Sequence, residues 1–485
     1  MPVTRRAFLG GLSTGALAGS LPASARVAGA NRDVRVAVVG LRGQGRTHIA
    51  RFAALEHVRV VALCDVDRDV LAAQRAAFEK RYGYAIDGHG DVREVLDRDD
   101  VDVVSTATPN HWHALIGVWA VDAGKDAYIE KPISHNVWEG RQLVRAARRA
   151  RRLVQGGTQS RSFPGIRAAV QYVQEGRLGA IEWVHAICYK PRPPIGKVGL
   201  GRPPESVDYS LWCGPAPFEP LRRRELHYDW HWQWATGNGD LGNQGIHQMD
   251  VARWVLGAEG LPPRVVSIGG RVGYDDDGET PNTQLVFYDY AGAPIVFEVR
   301  GLPRSKEQQA DRKAWERGMD RVHPGVSIGV TVHCAQGRMV IDTAGARAFD
   351  RDGAQVAEFT GEGDHYANFL AAVRARDPSL LHADVEETHL SSALCHLGGI
   401  SHLLGEHATA REAGEVAALH PAFERCWHDL REHLACNGID GARPVLVAGR
   451  TLQVDQVSEL IHGDHAANAL LTRPYRDPFV VPAVV

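Results

Sequence analysis

Several things are scarce in this 485-residue chain, and each absence excludes something. Its seven cysteines (Cys64, Cys188, Cys213, Cys334, Cys395, Cys426 and Cys436) are scattered, with no Cys-x-x-Cys pair. That spacing offers no zinc or iron–sulfur site, and the odd count argues against a disulfide framework. The formal net charge is only -3, too small to draw the chain to nucleic acid or to an anionic membrane surface. After the first residues nothing approaches the roughly 18 uninterrupted apolar residues of a membrane-spanning helix. No internal repeat or low-complexity block follows the N-terminus. What remains is 44% hydrophobic and 23% charged, an ordinary globular composition with length for two or three domains.

The N-terminus reads as an export signal. Arg5 and Arg6 precede Phe8 and Leu9, then a Gly/Ala/Leu-rich run to about residue 21, then Ala23-Ser24-Ala25. A basic region, an apolar core and an A-x-A site in that order resemble a twin-arginine signal; the alternative is a frayed helix with a chance Arg pair. The expectation is residues 1–30 as signal, a folded protein passed to the twin-arginine export machinery, a periplasmic or secreted location, and no membrane contact after cleavage. Outside the cytoplasm there is no nicotinamide pool to exchange with, so a cofactor would have to travel inside, tightly bound.

The next stretch has dinucleotide-binding character. An apolar strand at 34–39 runs into Gly40-Leu41-Arg42-Gly43-Gln44-Gly45 and a helix at about 47–55. Glycines allow a tight turn and close approach to a pyrophosphate, and the helix N-terminus supplies N–H donors. A second strand, 58–64, ends in Asp65, an acid placed to accept from ribose hydroxyls and to repel a 2′-phosphate. NAD is therefore favoured over NADP, although Arg42, Arg46 and Arg68 offer positive charge. A helix is expected within 87–99, then a buried strand at 101–107 stopped by Thr108-Pro109-Asn110. His111 and His113 have no third ligand at metal spacing; they read as a loop over the cofactor or as structural histidines. The strand 127–129 ends in Glu130-Lys131-Pro132 at the edge of the crevice where open α/β sheets bind ligands. A basic helix (137–152) and a turn through Gln159 complete a mostly parallel, right-handed α/β unit over 34–160.

From residue 161 to 437 the pattern turns to α+β. Period-two runs at 181–189, 265–272, 283–290, 294–300, 326–333 and 339–342 suggest about six strands, mostly antiparallel. Such an open sheet needs a cover, which suggests a homo-oligomer. An insert carries Tyr228, Trp230, Trp232 and Trp234, with Trp212 upstream. Aromatic faces beside polar groups suit sugar rings; equally, the alternation reads as one buried face of a strand. Residues 239–257 read as one helix with Gly257 as its stop, placing Asn243 and His247 on one face. His247 is either a satisfied core histidine or a catalytic one. Helices are expected at 364–375 and 386–404, and the tail 438–485 should wrap the body or a neighbouring subunit.

Taken together, Gly40–Gly45, Asp65, the Thr108-Pro109-Asn110 stop, Glu130-Lys131-Pro132 and the 239–250 segment resemble the glucose–fructose oxidoreductase/inositol dehydrogenase (Gfo/Idh/MocA) family over roughly residues 34–400. The resemblance implies a doubly wound Rossmann domain followed by an open-sheet domain, with NAD between them and a sugar, glycoside or cyclitol as substrate. Carried over residue by residue, Lys131 is the catalytic lysine and His247 the general base. Thr108, Pro109, Asn110, His113, Glu130, Lys131 and Gln159 join the glycine turn and Asp65 around the cofactor. Tyr228, Trp230 and Trp232 with Asn243 and His247 would hold substrate. One departure stands out: the family pattern has Asp four residues before the histidine, and here that residue is Asn243. The first expectation is an exported oxidoreductase with an internally balanced redox cycle. The alternatives are an NAD-dependent glycoside hydrolase working by oxidation, elimination, hydration and reduction, and a non-catalytic protein that retains the cofactor.

Overall fold

A computed structural model describes residues 33–321, 325–343 and 345–484; the expected export signal lies outside the described residues. Among the described residues the first sheet has six strands, the branched apolar β1 (Val34–Val39), β2 (Val58–Cys64) and β4 (Val103–Thr106) and the shorter β3 (Asp87–His89), β5 (Asp126–Ile129) and β6 (Val154–Gly156). They pair in the order β3-β2-β1-β4-β5-β6, every neighbour parallel. Helices cover both faces, which is why these strands read as continuous apolar runs and not as alternating ones. The strand order reverses between β1 and β4, and the crevice opens at their carboxyl ends. The helix expected within 87–99 is shorter: Asp87–His89 is an edge strand, and only Val92–Leu96 is helical. Pairing with Ala62–Cys64 overrides the poor strand propensity of Asp-Gly-His, and the Asp91 carboxylate, accepting from Arg93 N–H, sets the later helix start.

The second sheet has eleven strands, not six. The expected ones are β7 (Ile181–Tyr189), β8 (Arg264–Gly270), β9 (Thr283–Tyr288), β10 (Ile295–Arg300), β11 (Ile328–Cys334) and β12 (Gly337–Ile341). β13 (Ala346–Asp350), β14 (Gln355–Phe359), β15 (Glu406–Ala408), β16 (Leu446–Ala448) and β17 (Leu452–Gln453) are added. The extra strands are short and sit towards the ends of the sheet, so their partners rather than an apolar run define them. All pairings are antiparallel except β7 with β10.

Alternation along these strands feeds two cores. Val184, Ala186, Val286, Tyr288 and Phe297 face the helices Pro164–Gln174, Gly245–Leu256 and Val385–Leu403. Ile187, Leu285, Phe287 and Val296 face the opposite side, where Phe423, Trp427 and Leu430 of the Pro421–Cys436 helix pack. Phe287 and Phe423 stack at 5.3 Å, and burying each ring stabilises the fold by about 1.5–3 kcal/mol. Helices at Ala410–Ala417 and Pro421–Cys436 cover the β8–β10 part of this face from within the chain, so that part needs no partner subunit.

The two sheets are tied together by later segments. The His365–Ala375 helix sends Tyr366, Phe369 and Leu370 into the core of the first sheet against Phe52 and Tyr128. The tail wraps the body: Phe479, Val481 and Val484 join the core beside Trp112 and Leu115, and Val484 N–H donates to Gln142 Oε1 at 2.7 Å.

Candidate active site

The glycine turn after β1 has the close contacts a phosphate cradle requires. Gly40 has φ 80°, and a Cβ there would lie 2.8 Å from Thr108 N; a Cβ on Gly45 would lie 1.8 Å from Gly40 O. Only glycine fits either place. The Gly43–Ala53 helix starts directly after, with no side-chain cap from Arg42, and Gly43 and Gln44 of its first turn line the cavity, where helix N-terminal N–H groups suit a phosphate. Asp65, at the end of β2, accepts from Leu41 N–H at 2.8 Å and Asp67 N–H at 3.0 Å, and its carboxylate oxygens keep lone pairs for ribose hydroxyls. Arg42 lines the cavity, whereas Arg46 does not; Arg68 is taken by the Glu205 carbonyl at 2.8 Å. The cavity, about 660 Å³, runs from Gly40 and Asp65 past Thr108, Pro109 and Asn110 to Lys131 and His247. Its donors, acid and length fit a dinucleotide.

Lys131 stands at the far end, just beyond β5. Its Nζ donates to the main-chain carbonyl of Asn243 at 3.0 Å, not to Glu130. Burial pushes the ammonium pKa down; Glu130 and Asp240 oppose that, while Lys190 and Arg192 add to it. The buried Glu130 carboxylate instead meets His48 Nε2 at 3.1 Å, Gln159 Nε2 at 3.4 Å and Lys131 N–H at 3.2 Å. Burial pushes Glu130 up, but the His48 contact and the Lys131 charge outweigh it and bring the pKa to about 2. His48 is fixed in turn by Ser105 Oγ at 2.8 Å. Nothing local in the sequence marks His48; its only signal is a histidine one turn into the helix that follows the glycines.

Residues 239–257 form two helices, Gly239–Asn243 and Gly245–Leu256, joined at Gln244. The break leaves the Asn243 carbonyl available to Lys131. His247, in the first turn of the second helix, lines the cavity. Burial, reinforced by the Lys131 charge, lowers its pKa to about 4, so it is a neutral imidazole at physiological pH. Arg161 clamps the same helix through Asp250 with two bonds of 2.8 and 2.9 Å.

The aromatic insert divides. Tyr228, Trp230 and His231 line the cavity, with Tyr228 50% exposed and His231 stacked on Trp230 at 3.6 Å. Trp232 does not line it: this indole is buried beneath the Arg192 guanidinium, 5.0 Å from the ring centre. Asp229–Trp232 is a turn of 3₁₀ helix, so neighbouring aromatics point in different directions and the strand alternative fails too. His111 and His113 open the Asn110–Asp122 helix and are not in a loop. His111 bonds the Trp212 carbonyl at 2.9 Å, and His113 bridges Pro132 O at 2.6 Å and Thr108 O at 2.8 Å. His111 is a structural histidine; His113 pins the segment that carries Lys131 and also lines the cavity.

Comparison with known proteins agrees with this geometry. Residues 34–158 match the Gfo/Idh/MocA family model described as "Oxidoreductase family, NAD-binding Rossmann fold". Residues 195–308 match its companion, "Oxidoreductase family, C-terminal alpha/beta domain". An alpha-N-acetylgalactosaminidase of Shewanella oneidensis is 34% identical over 123 residues, 24% of this chain and 27% of that protein. The chain thus aligns with only about a quarter of that relative's length. A 1-carboxy-3-chloro-3,4-dihydroxycyclohexa-1,5-diene dehydrogenase of Comamonas testosteroni is 29% identical over 50% of both chains. Among solved structures, the WlbA dehydrogenase of Bordetella pertussis, in complex with NADH and UDP-GlcNAcA, superposes with a TM-score of 0.53 at 18% identity. It covers 75% of this chain and 94% of that one, a likeness of fold.

Proposed function

Because the chain belongs to the Gfo/Idh/MocA family of NAD-binding oxidoreductases, we propose that it oxidises and reduces a hydroxyl of a sugar, glycoside or cyclitol. The observation that carries this is the convergence of Lys131 and His247 from different domains on one cavity. Bound NAD would accept or return the hydride. Lys131 supplies a partly desolvated positive charge where an alkoxide develops, and such charge is worth most where water is excluded. His247, neutral at rest, takes the hydroxyl proton. Burial and then the Lys131 charge keep its pKa low, and negative charge growing between the two raises it. Tyr228 and Trp230 offer faces for a pyranose ring. The twin-arginine-like start supports export with NAD tightly bound, and hence a cycle in which one substrate reduces the cofactor and another reoxidises it.

A second reading is an NAD-dependent glycoside hydrolase, favoured by the similarity to the Shewanella alpha-N-acetylgalactosaminidase and to family 109 glycosyl hydrolases. Two assays separate them. A keto-sugar that bleaches the absorbance of reduced nicotinamide on the purified protein supports the oxidoreductase. Aglycone release from nitrophenyl glycosides without an added acceptor supports the hydrolase.

A further inference from the structure

One part of the second domain is built onto the nucleotide end of the first. The segment 205–230 leaves β7 far behind and lies across the residues that follow β2. Arg68 N–H donates to Ser206 O at 2.9 Å and Asp208 N–H to Val66 O at 3.0 Å, flanking a bridge between Asp67 and Val207. His227 Nε2 meets Asp67 Oδ2 at 2.9 Å, and Arg68 Nη2 donates to Glu205 O. Val207, Trp212, Leu226 and Trp230 form a small core of their own, against which Val66 packs. Further along, Trp112 Nε1 donates to the carbonyls of Leu211 and Trp212, each at 3.1 Å. The tail braces the same place, since Arg476 donates to the carbonyls of Ser210 and Gly214. Gly214, with φ 48°, lies so close that a Cβ would sit 2.3 Å from the Trp112 ring.

This segment therefore borders the dinucleotide cavity: Leu211, Trp212 and His227 line it together with Asp65 and Val66. Asp65 marks the ribose of the adenosine half in this fold. We infer that residues 205–227 form a clasp over the adenosine half of the bound dinucleotide, and that this clasp is what holds the NAD which the proposed function takes as tightly bound. The inference rests on the proposed function, which puts NAD in this cavity, and names the residues that keep it there. The clasp acts through bonds at its own edge: Asp67 and Arg68 must part from Ser206, Val207 and His227 before the adenosine end opens. Release is then coupled to a local unlatching, so the off-rate falls with the population of the unlatched form.

The test compares the full-length protein with Arg68→Ala, which removes one surface hydrogen bond, and with Arg68→Ala/His227→Ala, which also removes the His227 contact to Asp67. Each is loaded with NADH, and release into a large excess of NAD is followed by nicotinamide fluorescence. Hydrogen exchange of peptides within 205–227 is read with and without NAD. The clasp predicts slow release from the unsubstituted protein, faster release from the single variant and at least tenfold faster from the double. It also predicts slower exchange in 205–227 when NAD is present. Equal release rates in all three proteins, or exchange in 205–227 unchanged by NAD, overturn the clasp while leaving the NAD-dependent reading in place. No NADH binding by the unsubstituted protein overturns both.

Discussion

The Lys131 ammonium is held by the main-chain carbonyl of Asn243, at 3.0 Å. This changes the meaning of the residue that departs from the family pattern. The contact that orients the lysine uses no side-chain atom of residue 243, so replacing Asp by Asn leaves it intact. The loss is one negative charge beside His247 and Lys131.

Restoring that charge should be visible in a pH profile. In Asn243→Asp the lysine keeps its carbonyl, and the added carboxylate favours the protonated forms of both His247 and Lys131. The acid limb of kcat/KM, governed by a histidine now at about 4, should move to higher pH. Asn243→Ala should leave that limb in place and act mainly on KM.

The aromatic insert makes opposite forecasts for neighbouring residues. Tyr228→Ala removes a half-exposed ring from the cavity wall and should raise KM several-fold with little change in kcat. Trp232→Phe, buried beneath Arg192, should leave KM as it is and lower only the unfolding midpoint. Steady-state kinetics beside thermal melts separate the two.

His48 should prove a positioning residue for Glu130. His48→Ala strips the buried carboxylate of its partner at 3.1 Å, and losing a hydrogen bond to a charged group costs about 1.5–3 kcal/mol. Denaturant unfolding measures that cost. A positioning role also predicts a displaced pH profile, which a purely structural role would not move.

Stability should fall on acidification. Burial is the leading cause that lowers the pKa of His247 to about 4 and of His111, His231 and His396 to about 3, from 6.5. Below 6.5 the unfolded chain binds protons that the native state refuses, so stability drops as pH falls towards those values. Glu130, Glu298 and Glu459, each near 2 against 4.5, act in the same direction below 4.5. His185 has the opposite sign. Burial alone would lower it, but Cys426 and Glu298 raise it to about 10. Its stabilisation is complete below 6.5 and is lost as pH rises through 10. Calorimetric midpoints should therefore decline from a plateau near neutrality on both sides, more steeply on the acid side.

Much of this site was legible in the sequence because its signals are local. The strand–glycine–helix passage, the acid after β2 and the acid–lysine–proline at the end of β5 are each defined within a few residues by strand periodicity and glycine sterics. What was not legible depends on distant partners. His48 matters only because Glu130, 82 residues away, packs against it. Trp232 and Trp230 are alike in sequence, and only the 3₁₀ turn sends one to the cavity and the other under Arg192. β13 to β17 are too short or too polar to carry a period, and the helices at 410–436 that close the second sheet bury a stripe whose partner strand could not be known beforehand. The expectation of a wholly uncovered sheet missed this partial cover for that reason.

Hydride transfer between NAD and a sugar hydroxyl, with Lys131 stabilising the charge that develops, is read by adding candidate sugars and cyclitols to the NAD-loaded protein and to Lys131→Met and following reduced nicotinamide in a single turnover. Losing one electrostatic stabiliser of a developing oxyanion costs about 10²–10³ in rate. At least one of these substrates should reduce the bound nucleotide, slowed to that degree in Lys131→Met while nucleotide content is unchanged; equal rates in the two proteins would rule out that role for Lys131.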